Sequence, residues 1–158
     1  MKTINDLIDY LYIDKSSDIK QYVNEQVVRT ADNNKGFFWE KVLEKAMPHT
    51  KLIGGNNPHY DFTDGSDAKI GTFYSRKGSN TGKKEVSIGI KNKTGTLRVC
   101  LVVPGQSYHR VFFLKIPPDA YSPYLNGSSA IKFGLSPRGT PTGKLANFRC
   151  SWQEVISP

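Results

Sequence analysis

Apolar residues recur along the first third of the chain with the period of a helix. In "TINDLIDYL", Ile4, Leu7, Ile8 and Leu11 take the i, i+3, i+4, i+7 positions of one buried stripe, and Thr3 is available as N-cap. "SSDIKQYVNEQVV" repeats the pattern with Ile19, Tyr22, Val23 and Val27 behind a Ser16 or Ser17 cap. "NKGFFWEKVLEKAM" predicts a third helix, with Trp39, Leu43 and Met47 along one face, Phe38 and Val42 beside them, and Pro48 to stop it. Glu40 and Glu44 lie four apart on one side of that helix, where Lys41 and Lys45 can pair with them.

After "GGNNPH" the period changes to that of strands. "SDAKIGTFYS" and "KEVSIGIKNK" flank the turn-forming "RKGSNTGK", and "TLRVCLVVP" and "RVFFLKIP" follow, joined by "GQSYH". Neighbouring antiparallel strands in a meander are the simplest topology for these four segments. Shorter strands are expected at "AIKFGL" and "NFRCSWQEV" within a region rich in Pro, Gly and Ser. The order predicts a single α+β domain, with N-terminal helices on a mixed, mostly antiparallel sheet. Helices fill about 1–47, the sheet core about 58–117, and C-terminal strands and loops 118–158.

Composition sharpens this picture through the placement of charge. Residues 1–67 hold 8 Lys/Arg against 11 Asp/Glu, whereas residues 68–158 hold 14 against 3. A chain polarised this strongly predicts one basic surface facing a polyanion. No segment approaches the ~18 consecutive apolar residues of a membrane span, and the first residues read as mixed polar rather than as a leader. Cys100 and Cys150 lack metal-ligand spacing and read as thiols in a reducing, cytoplasmic compartment. There is no Gly-x-Ser-x-Gly elbow and no Walker loop, and His49, His59 and His109 have no evident metal or nucleophile partners.

The candidate chemistry comes from strand alternation. Asp67, Lys69 and Gly71 share one face of their strand, and Gly89, Lys91 and Lys93 share one face of theirs. With "GFFWEKVLEKA" ahead of them, "DGSDAKIGTF" and "SIGIKNKTG" resemble the core of the PD-(D/E)xK nuclease superfamily, over roughly residues 36–95. The resemblance implies a restriction-endonuclease-like core. Asp67 is then the metal-binding aspartate, Lys91 the lysine at the scissile phosphate and Glu40 the helix glutamate. Gly89 stands where the family places an acid, so Glu85 is the substitute expected if the strand bends, with the Ile90 carbonyl as the backbone ligand of the Mg2+ site. A second alignment takes Asp67-Ala68-Lys69 as the acid-x-lysine itself, with Asp61 or Asp64 as leading acid.

These residue types suit phosphodiester hydrolysis. Carboxylates hold magnesium, which activates a water, and a lysine offsets charge developing on the phosphate. The resemblance implies a site-specific, restriction-type endonuclease on double-stranded DNA, acting as a homodimer or, as some small members do, as a monomer. The alternative is a non-catalytic, basic nucleic-acid-binding module. Arg76, Lys77, Lys83 and Lys84 around the turn, with Lys93, are expected to meet backbone phosphates. Arg138, Lys144 and Arg149 are expected to meet phosphates or bases. Tyr108, Phe112, Phe113, Phe133 and Phe148 read as core rather than as stacking platforms.

Overall fold

In a computed structural model the described residues are 35–53, 58–75, 84–103, 110–125, 127 and 129–158. The first two predicted helices, Arg76, Lys77, Lys83 and Tyr108 lie outside them. Helix α1 runs Lys35–Ala46 and buries Trp39, Val42, Leu43 and Ala46, with Met47 just beyond, so the predicted stripe is the one that packs. On its outer side Lys41 pairs with Glu44 at 3.5 Å.

Strands β1 (Asp67–Thr72), β4 (Leu97–Val103), β5 (Arg110–Ile116) and β8 (Arg149–Cys150) form one sheet in the order β1-β4-β5-β8. A second sheet contains β2 (Tyr74–Ser75), β3 (Lys84–Gly89), β6 (Ala130–Leu135) and β7 (Pro141–Thr142), in the order β2-β3-β6-β7. The short helices α2 (Pro118–Tyr121) and α3 (Trp152–Val155) complete the elements used below. A capping box closes α3, in which Glu154 N–H donates to Ser151 Oγ and Ser151 N–H to Glu154 Oε2. No helix among the described residues is long and apolar enough to cross a membrane.

The α+β class holds, but of the expected antiparallel meander only the β4–β5 pair is found in full. Strand β1 pairs with β4, and in parallel, from Asp67↔Leu97 to Thr72↔Val102. The hairpin with the 84–89 strand survives only at its tip, where Tyr74 and Ser75 face Glu85 and Lys84. Phe73 is the crossing point: its amide donates to the Val102 carbonyl at 2.9 Å, and its ring is buried between the sheets. One extended segment therefore serves two sheets.

Strand β4 is buried along its whole length, as a central strand covered on both faces should be. One face, with Cys100 and Val102, joins Trp39, Val42, Leu43, Phe113, Trp152 and Val155 in a core under the helices. The Trp39 ring stacks on Phe113 with centroids 5.8 Å apart. The other face, with Leu97, Val99 and Leu101, meets Val86, Ile88, Phe112, Leu114 and Phe133 between the two sheets. Phe112, Phe113 and Phe133 are thus core as expected, while Phe148 is half-buried beside the inter-sheet core. Cys100 and Cys150 are free thiols, the first fully buried.

Two glycines fix the approach to β1. Gly65 adopts φ +86°, and a Cβ placed on Gly95 would stand 1.8 Å from the Gly65 carbonyl oxygen. The 65 and 95 backbones pack directly on each other, beside the bond from Asp67 N–H to the Thr96 carbonyl. Gly95→Ala is expected to lower stability by roughly 1–3 kcal/mol, because the obstruction is backbone and cannot swing away. Thermal denaturation of the variant checks this.

Candidate active site

Asp67 opens β1 with its side chain fully buried. Strand alternation sends Ala68 and Ile70 to the helix-side core, so Asp67 and Lys69 face the second sheet. Lys93 Nζ donates to Asp67 Oδ1 at 2.9 Å, and Lys69 Nζ lies 3.6 Å from Oδ2. Oδ2 accepts no hydrogen bond, although it is buried. Both lysines reach solvent where the aspartate does not, with side chains 12 % and 25 % exposed for Lys93 and Lys69.

Asp67 is held by Lys93 rather than Lys91, and the reason is local. The alternation argument assumed a strand continuing through residue 93. Strand β3 instead ends at Gly89, and a turn follows in which Lys93 N–H donates to the Ile90 carbonyl at 3.1 Å. Asn92 takes the left-handed conformation at φ 64°, and its carbonyl accepts from His59 Nδ1 at 2.8 Å. That reversal aims Lys93 back at Asp67 and leaves Lys91 exposed on the turn.

Two further acids stand close enough to act on this pair. Asp61 Oδ2 accepts the amide of Ala68 at 2.9 Å, which occupies an outward-facing N–H of β1, an edge strand. Glu40 projects from α1, and its pKa is pushed up to about 6, first by burial and then by the charges of Asp61 and Asp67. Burial likewise lifts Asp67 to about 6, outweighing the Lys93 hydrogen bond, with the Asp61 charge adding to the rise. Tyr121 of α2 is also raised, by burial and then by the Asp67 charge, and its hydroxyl donates to the Gly95 carbonyl. The cluster is therefore Glu40, Asp61, Asp67, Lys69 and Lys93, bordered by Tyr121.

Other residues singled out in the sequence stand elsewhere. Glu85 pairs in register with Tyr74 and Gly134 in the second sheet. Its neighbour Val86 abuts Gly71, four residues along β1 from Asp67, which is roughly 13 Å at ~3.3 Å per residue. Ile90 is buried in the inter-sheet core, and its carbonyl already accepts the Lys93 amide. Gly89 is exposed at the end of β3, and a Cβ there would meet nothing. Lys84 is exposed at the start of β3, and Lys144 Nζ lies 6.0 Å from the centre of the Tyr124 ring. Arg138 and Arg149 are exposed; Arg149 is level with Lys69 but three strands across the first sheet, and Arg138 lies on the turn between β6 and β7 of the second.

Asp64, the other candidate leading acid, has a different task. Partial burial would raise its pKa, but the Ser66 hydroxyl and amide and the Arg98 guanidinium hold it down to about 2. Arg98 is 2 % exposed and donates to Asp64 Oδ2 at 3.0 Å, Ser66 Oγ at 3.0 Å, and the carbonyls of Val155 and Ser157 at 2.6 and 2.8 Å. Its own carbonyl accepts from Trp39 Nε1 at 3.0 Å. Sequence reasoning missed Arg98 because an arginine inside "TLRVCLVVP" looks like an interruption of an apolar strand; its spacing from Asp64 carries no local signal.

Among the described residues no three His, Cys, Asp or Glu side chains are gathered around one point as a metal ion needs. What fits magnesium is the donor type, carboxylate oxygens, together with the Oδ2 of buried Asp67, which accepts no hydrogen bond. Glu40 and Asp61 would have to draw in toward it. No protein-family model matches the chain, and neither does any curated protein or solved structure with which it was compared.

Proposed function

We propose that the protein is a metal-dependent endonuclease on double-stranded DNA, of the site-specific kind, with a restriction-endonuclease-like catalytic core and Asp67 at its centre. The observation that carries this reading is a fully buried aspartate at a strand mouth, flanked by two lysines, with one carboxylate oxygen that accepts no hydrogen bond. The spacing that best matches this arrangement is Asp67-Ala68-Lys69 as the acid-x-lysine, with Asp61 as leading acid and Lys93 as an added cation.

Asp67 would hold Mg2+, with Glu40 and Asp61 completing the carboxylate set. When bound, magnesium supplies a polarised water and charge relief at the phosphate. Lys69, the more exposed of the two cations, would face the scissile phosphate, where an ammonium stabilises the charge that develops on its oxygens. Lys93 would keep Asp67 oriented through its Oδ1 contact.

The test is plasmid DNA incubated with the purified protein, with magnesium and with a chelator, over a range of pH. Discrete fragments that require magnesium support the reading. Intact plasmid that shifts on a gel replaces it with the non-catalytic binding module. The pH dependence has a definite sign. Glu40 and Asp67, both raised to about 6, are protonated below that pH and must lose their protons to bind a cation. The logarithm of the cleavage rate should therefore climb with pH below about 6, with a slope approaching two, and level off above about 7.

A further inference from the structure

On the side of the first sheet away from β1, two arginines share one aromatic ring. Arg110, the first residue of β5, places its Cζ 5.0 Å from the centre of the Phe112 ring. Arg149, the first residue of β8, places its own 4.8 Å from the same centre. The two guanidiniums are thus no more than about 10 Å apart, about one screening length at 0.1 M salt. Arg110 is fixed further, because its Nη1 donates to the carbonyls of Arg138 and Gly139 at 3.0 and 3.1 Å. Those carbonyls belong to a closed turn, in which Ser136 N–H donates to the Thr140 carbonyl at 2.8 Å and the two hydroxyls meet at 2.7 Å. The turn carries Arg138 exposed at its tip.

Among the described residues no carboxylate lies within ion-pairing distance of Arg110, Arg138 or Arg149. Like charges held this close by a ring and by carbonyls repel one another, and no carboxylate among the described residues neutralises them. A protein that only needed to cover Phe112 could do so with one arginine or an apolar side chain. The guanidinium fork instead matches the oxygens of a phosphate, and both arginines have N–H groups that the ring contact leaves free.

We infer that Arg110, Arg138 and Arg149 form a clamp for backbone phosphates of duplex DNA, remote from the cutting centre. Asp67 is level with Leu97 of β4 and Arg110 with Val103, six residues on and roughly 20 Å along the strand, whereas Arg149 is level with Lys69 and roughly 14 Å away, across three strand spacings. At 3.4 Å per base pair these distances correspond to about four to six base pairs of duplex. The clamp therefore adds affinity and orientation, not chemistry. It shares with the proposed function only the expectation that DNA is the polyanion.

The test is a fluorescence-anisotropy titration of a labelled 30-base-pair duplex in chelator, from 50 to 250 mM KCl. It compares the wild type with Arg138→Gln, Arg149→Gln and, as a surface control on α1, Lys45→Gln. Arg138 and Arg149 are exposed and their replacement leaves the Arg110 bonds to the turn in place, so these variants fold. Each is expected to weaken binding several-fold at 100 mM salt and to reduce the slope of log affinity against log salt by about 1, with Lys45→Gln unchanged. Wild-type affinity and slope in both arginine variants would overturn the clamp, as would a wild type without salt-dependent binding. Cleavage is read separately, with magnesium on the same duplex. Arginine variants that lose binding where no protein cuts leave the clamp standing without the nuclease; unaltered binding where the wild type cuts does the reverse.

Discussion

Asp67→Asn is expected to abolish the magnesium-dependent cleavage proposed above, while leaving the protein at least as heat-stable at pH 8 as the wild type. The loss of rate follows from removing the buried carboxylate around which Glu40, Asp61 and both lysines are arranged. A bound metal supplies several kcal/mol of charge stabilisation, and at about 1.4 kcal/mol per tenfold this is roughly 10³ in rate. The retained stability follows from linkage. Because the Asp67 pKa is raised from 3.8 to about 6, the folded state binds this proton more tightly than the unfolded chain does. The carboxylate therefore opposes folding progressively as pH rises from about 4 to about 6, and fully above that. Asparagine carries no charge to desolvate, and its Oδ1 can still accept from Lys93. Melting curves at pH 5 and pH 8 check the point: the variant should gain on the wild type at the higher pH. An aspartate serving only as a salt-bridge anchor gives the opposite result, with a lower melting temperature at pH 8.

Arg98→Met lowers stability by about 3–5 kcal/mol, the range for breaking a buried ion pair from one side. Methionine fills comparable space but cannot donate, so the Val155 and Ser157 carbonyls and Asp64 each lose a bond. For a chain of this length that is a fall in melting temperature of roughly 10 °C or more. The pH dependence runs opposite to that of Asp67. Asp64, held at about 2 in the folded protein, contributes stability that is present above about pH 4 and is lost as pH falls toward 2. The gap between wild type and Arg98→Met should therefore narrow in strong acid. Adding Asp64→Asn to the variant should cost less than the two single effects together, because the second change no longer strands a charge.

The parts of this fold legible in the sequence are those set by local periodicity. The Trp39–Met47 stripe, the buried run of β4 and the strand beginning at Asp67 all follow from the spacing of apolar residues. What was not legible depends on partners distant in sequence. Nothing within 66–75 says that β1 runs beside 97–103, since parallel pairing is joined through a whole intervening hairpin. The choice among the lysines turned on one residue. Alternation places Lys91 and Lys93 together only along a straight strand, and Asn92 at φ 64° bends it. Asp61 entered as a candidate through spacing alone, whereas its bond to the Ala68 amide gives it a physical role at the strand edge. Arg110 and Arg149 sit almost forty residues apart and meet only because β5 and β8 are neighbours.

The segment that crosses from one sheet to the other at Phe73 acts as a dowel through two boards. For the layers to slide past each other, either the β1–β4 ladder or the β2–β3 pair must come undone. Lys93, carried by the second board's strand end, is thereby kept in step with Asp67, carried by the first. Loosening the crossing with a small residue at Phe73 would let the lysine and the aspartate drift apart without touching either one.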